Sequence, residues 1–120
     1  IFVLSNFTIY NNPRCSKSRH ALELLKDNGI NPKVVLYLQT PLSEKELVLI
    51  LKKLNLEAKD LLRKGEAEFK ELKLSDSSKS EEDLIKAMIN FPKLMERPII
   101  INRDRAVIGR PPENVLEIIK

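Results

Sequence analysis

A chain of 120 residues, 42% hydrophobic and 32% charged, is long enough to bury a core without staples and too apolar to stay disordered. Its net charge of +4 is dispersed, with Lys and Arg mixed among Glu and Asp and aromatics at only 5%, unlike the concentrated basic stripe of a nucleic-acid binder. One cysteine cannot form an internal disulfide, and no apolar run approaches the roughly 20 residues that cross a bilayer, so a cytoplasmic protein independent of nucleic acid and membrane is expected.

Residues 1–6 precede the first element. Ile1 to Leu4 is apolar but too short, and lacks the charged flank of a signal peptide; the stretch is read as an N-terminal extension of no assigned role. Phe7-Thr8-Ile9-Tyr10 reads as a short buried strand. A polar stretch, Asn11 to Arg19, leads into a helical stripe of Ala21, Leu22, Leu24 and Leu25 that stops at Asn28-Gly29. Val34 to Leu38 reads as a second buried strand, and a strand, helix and strand within about thirty residues make a parallel βαβ unit.

Ser43-Glu44-Lys45-Glu46 has the form of a capping box and opens a helix to about Leu54, with Leu47, Ile50, Leu51 and Leu54 on its apolar face. Short helices are expected at 58–62 and 66–72. Ser80-Glu81-Glu82-Asp83 caps another helix through Asn90, burying Leu84, Ile85, Met88 and Ile89. Ile99 to Ile101 and Ala106 to Ile108 read as an antiparallel hairpin. Gly109-Arg110-Pro111-Pro112 breaks the last strand, and a closing helix follows with Val115, Leu116, Ile118 and Ile119 facing inward. The order β-α-β, helices, β-β-α is that of an α/β thioredoxin-like fold with a four-stranded mixed sheet. It is expected as one domain over residues 7–120 with a helical insertion at about 43–92. Pro98, just before the third strand, is expected to be cis.

Cys15 is where chemistry is expected. It sits where a strand turns into a helix N-terminus, whose free amides and positive dipole end favour a thiolate; Arg14, Lys17 and Arg19 add positive charge. The same features would hold an oxyanion beside the sulfur. A buried, inert cysteine is the other reading of such a residue, and polar, cationic neighbours weigh against it. One cysteine and one histidine, His20, make no metal site, and His20 is expected to be a surface or packing residue.

Five pieces in register, Asn12 to Arg19, Tyr37 to Pro41, Leu61 to Lys64, Arg97-Pro98-Ile99 and Gly109-Arg110-Pro111, resemble the ArsC family of glutaredoxin-coupled arsenate reductases. The resemblance implies reduction of arsenate to arsenite, with Cys15 as nucleophile forming a covalent thiol–arsenate adduct. It implies Arg63, Arg97 and Arg110 as oxyanion ligands; Asn11, Asn12, Ser18, Arg19 and Pro98 are expected as supporting residues around them. No bound cofactor is implied; glutathione is the co-substrate and glutaredoxin the transient protein partner. With one cysteine the reducing thiols must come from outside; Ser18 stands where a Cys-x-x-Cys protein would carry its second sulfur, and is either a hydroxyl donor to the thiolate or simply a polar first-turn residue. Asn11 departs from the family pattern, in which well-studied members carry a histidine; an amide hydrogen-bonds but brings no charge. The alternatives are a monothiol glutaredoxin-like oxidoreductase and a non-enzymatic redox regulator that binds RNA polymerase.

Overall fold

The computed structural model describes residues 6–119, so all but Asn6 of the expected N-terminal extension lies outside the described residues. Contacts divide the chain into two compact units. Among the described residues, one combines 6–37 with 97–119, and the other is Leu38–Glu96.

The first unit holds β1 (Phe7–Tyr10), α1 (Ser16–Asp27), β2 (Lys33–Val35), β3 (Ile99–Asn102), β4 (Arg105–Ile108) and a closing 3-10 helix, Pro112–Ile118. Its strands form one sheet in the order β2-β1-β3-β4. β1 pairs parallel with β2 and antiparallel with β3, and β3 pairs antiparallel with β4. This is the mixed four-stranded sheet of a thioredoxin-like α/β fold. Ile9 sits opposite Val34 on one side and Ile100 on the other. Phe7, Ile9 and Ile100 face Ala21 and Leu25 of α1 and Val115 and Ile118 of the closing helix, and these seven form one core cluster. The i, i+4 spacing of Ala21 and Leu25 points both at the sheet. α1 ends as its residues dictate: Asn28 Nδ2 donates to the Leu24 carbonyl at 2.7 Å and Gly29 takes φ +77°.

Two expectations need correction. The second strand is three residues, not Val34 to Leu38, and it is an exposed edge, not a buried strand. Its ladder closes where the Asn11 amide donates to the Val35 carbonyl at 2.9 Å. Beyond that, β1's chain turns away through Pro13, which has no N–H, and the apolar run has no partner to pair with. Tyr37 is still buried, but in a turn. The closing helix is 3-10, and Leu116 faces outward at 41% exposure. At three residues per turn the inward face is Pro112, Val115 and Ile118, and all three are buried.

The second unit holds α2 (Glu44–Leu54), α3 (Ala58–Leu61), α4 (Ala67–Glu71), α5 (Glu81–Asn90) and a 3-10 turn, Pro92–Leu94. Ser43 and Ser80 each form a full capping box, with Glu46 and Asp83. Leu47, Ile50 and Leu51 of α2 and Leu84, Ile85 and Met88 of α5 are buried, whereas Leu54 and Ile89 are only partly so. α5 packs against α2, α3 and the 3-10 turn. The unit is laced at its end by the Arg63 amide donating to the Leu94 carbonyl at 2.7 Å and the Glu96 amide to the Leu61 carbonyl at 2.8 Å.

Candidate active site

The loop between β1 and α1 is held shut by its own side chains. Asn12 anchors it three ways: its Oδ1 accepts from the Arg14 amide at 3.1 Å, its carbonyl from the Cys15 amide at 2.9 Å, and its own amide donates to Ser18 Oγ at 3.3 Å. Arg19 Nη1 reaches back from α1 to the Pro13 carbonyl at 3.0 Å. Cys15 is thereby fixed as the N-cap of α1, with extended backbone at φ −92° and ψ 123°. The thiol is partly buried, and Ser18 one turn on is fully buried.

The electrostatics follow from this placement. Burial pushes the Cys15 thiol up, but the amides of Ser18 and Lys17, the Arg97 side chain and the Ser18 hydroxyl together bring it from 9.0 down to about 7. Those amides are the unsatisfied donors of the first helical turn; they act on the sulfur without forming a fully aligned cap hydrogen bond. Because the Ser18 oxygen already accepts from Asn12, its hydroxyl proton is free to turn toward the sulfur.

Two arginines from distant sequence join the thiol. Arg110 Nη2 lies 3.6 Å from Cys15 Sγ, and its Nε donates to the main-chain carbonyl of Arg97 at 2.7 Å. The Arg97 side chain acts on the sulfur, and its Nε is buried without a hydrogen-bond partner. The Arg97–Pro98 peptide is cis, as expected, and so is Arg110–Pro111, which was not expected. Gly109 is where Arg110's strand end meets Pro98: the Gly109 amide donates to the Pro98 carbonyl at 2.8 Å. A Cβ at Gly109 would stand 2.8 Å from Pro98 Cγ and 3.1 Å from Ile100 Cδ1, so only glycine permits that approach.

Asn11 is buried, and its side-chain oxygen has no partner. Arg63 belongs to the helical unit, where its Nη1 pairs with Glu96 at 3.0 Å and its Nε approaches Glu66 at 3.6 Å. His20 is exposed on α1. Among the described residues no group of three or more His, Cys, Asp or Glu is placed to hold a metal ion, and no helix is long and apolar enough to cross a membrane. Asn114 shapes the site without having been singled out in the sequence, whereas Gly109 was marked there as part of the Gly109-Arg110-Pro111 piece. The only local hint was the strand break at Gly109-Arg110-Pro111-Pro112.

The family model described as the ArsC family matches residues 10–118. The chain belongs to the ArsC family. Among ArsC relatives, an Escherichia coli K12 protein described as uncharacterized protein YfgD is 58% identical over 112 residues, covering 92% of this chain and 94% of its own length. A Haemophilus influenzae protein named arsenate reductase is 47% identical over 112 residues, covering 92% and 97%. A solved structure described as arsenate reductase from Vibrio cholerae superposes with a TM-score of 0.91 at 48% identity, covering 93% of this chain and 96% of that one. As an ArsC protein, the chain pairs a thioredoxin-like fold with a single cysteine at the start of its first helix.

Proposed function

We propose that this ArsC protein reduces arsenate to arsenite in the cytoplasm, taking electrons from glutathione and glutaredoxin. The observation that carries the reading is the guanidinium of Arg110 at 3.6 Å from a thiol whose pKa is lowered to about 7. A sulfur that is substantially thiolate near neutral pH is a nucleophile, and an arginine beside it binds a tetrahedral oxyanion through parallel N–H donors. The buried Nε of Arg97, with no partner of its own, suits the same ligand.

In the proposed reaction the Cys15 thiolate attacks arsenic, an S–As bond forms, and an arsenate oxygen leaves as water after protonation. An external thiolate then attacks the adduct. Over the cycle, arsenate and two reducing thiols give arsenite, one disulfide and water, so arsenic gains the two electrons that two sulfurs lose. The chain's sole cysteine cannot supply a second thiol, which is why glutathione and glutaredoxin are assigned that role. Developing negative charge on the arsenate oxygens would be met by Arg97 and Arg110. Arg63 is assigned to the oxyanion by family resemblance alone. Asn12 and Arg19 hold the loop, and Ser18 stabilises the thiolate.

The test is arsenate-dependent NADPH oxidation in the presence of glutathione, glutaredoxin and glutathione reductase. Turnover that disappears in Cys15→Ser is the expected result. No turnover by the unaltered protein, with the thiol still titrating near 7, would overturn arsenate as substrate. A neutral amide at Asn11, buried where well-studied family members carry histidine, leaves one second reading open: reduction of glutathione mixed disulfides. That activity is read in the same coupled assay with a mixed disulfide replacing arsenate.

A further inference from the structure

We infer that Asn114 is a positioning residue for the oxyanion site, holding the main chain at Arg110 so that its guanidinium stands beside Cys15. The inference rests on Arg110 being an oxyanion ligand. Arg110 lies past the end of β4, in a segment with no strand partner, and the two residues after it, Pro111 and Pro112, have no N–H with which to anchor it. Asn114 supplies what the prolines cannot. Its side-chain Nδ2 donates to two main-chain carbonyls, those of Ile108 and of Arg110 itself, at 3.1 Å each. Its own amide donates to the Pro111 carbonyl at 3.0 Å.

One amide group therefore ties the last residue of β4, the arginine and the start of the closing helix into a single turn. The turn is anchored in turn by its neighbour Val115, which is fully buried in the core cluster. At its far end the arginine is oriented by the Arg97 carbonyl, 2.7 Å from Nε. A guanidinium fixed at both its backbone and its Nε has little freedom left, and its Nη2 is delivered to the sulfur. Both Nδ2 protons are spent on carbonyls, so the residue has no direct part in binding the anion; it acts through Arg110.

A double-mutant cycle over Asn114→Ala, Arg110→Ala and both together tests this, reading arsenate KM and kcat alongside the pH profile of Cys15 alkylation by iodoacetamide. Asn114→Ala is expected to raise arsenate KM on the order of tenfold, the usual consequence of losing two such hydrogen bonds. Its alkylation midpoint should move up in pH, and it should add nothing further in the Arg110→Ala background. Should Asn114→Ala fail to fold, Asn114→Ser keeps one donor and is expected to fall between wild type and the Arg110→Ala variant. Unchanged KM and alkylation profile in a folded Asn114 variant, or effects that simply add to those of Arg110→Ala, would overturn the inference. An Arg110→Ala protein that matches wild type in both readouts would instead remove Arg110 from the oxyanion site, and the inference would fall with that reading.

Discussion

Burial and the donors around the sulfur, the first-turn amides and the Arg97 and Ser18 side chains, pull the Cys15 thiol in opposite directions, and the donors win, leaving it at about 7 against an ordinary 9.0. The rate of alkylation should therefore rise with pH around a midpoint of about 7, and stopped-time iodoacetamide labelling will show it. The same shift enters folding. A depressed thiol pKa means that the folded chain binds its proton less tightly than the unfolded one, so the stabilisation is full above 9 and is lost as pH falls through 7. Wild type should accordingly gain stability over Cys15→Ser between those values in urea titrations. Arg110→Ala should lower kcat/KM for arsenate by about a hundredfold, the scale of removing one donor from a site of developing negative charge. The amide share of the lowered thiol pKa was legible from the strand–turn–helix setting of Cys15; the Arg97 share was not. Nor was the second guanidinium, because Arg110 lies 95 residues further along, and nothing in the local pattern says that the two meet.

The elements divide by how local their causes are. Capping boxes are written within four residues, and both Ser43–Glu46 and Ser80–Asp83 form as the residues suggest. Ser43→Ala should cost about 1 kcal/mol, measurable by denaturant titration. The stripe on α1 was equally plain, and Leu25→Ala should cost about 2–5 kcal/mol because its site is sealed between sheet and closing helix. Gly109→Ala should cost about 1–3 kcal/mol, since the new methyl meets Pro98 and Ile100. What the local pattern misjudged was β2 and the closing helix. An apolar run does not reveal whether a partner strand continues beside it, so Val34 to Leu38 looked longer and more buried than Lys33–Val35 is. In the closing helix, paired prolines and the Asn114 side chain, bound to carbonyls upstream, favour the tighter 3-10 turn, and the period of three sends Leu116 outward.

At the scale of the molecule, the order of elements was legible because connection lengths limit topology: a helix between strands makes them parallel, and a four-residue turn makes a hairpin. The placement of β3 against β1 is a meeting of distant segments, inferred only through the order of elements as a whole. The net charge of +4 gives an anionic substrate a mild long-range attraction that salt screens over about 8 Å at physiological ionic strength. Arsenate KM should thus rise modestly from low to physiological salt when assayed at constant pH.

The sheet's central pairing also sets a schedule for synthesis. Ile9 of β1 faces Ile100 of β3, so β1 leaves the ribosome about ninety residues before its second partner exists. In that interval the nascent chain carries Cys15 and its helix but neither Arg97 nor Arg110. A chain released early by a stop codon before residue 97 would bear a thiol without its two guanidinium groups, and with one side of its central strand unpaired.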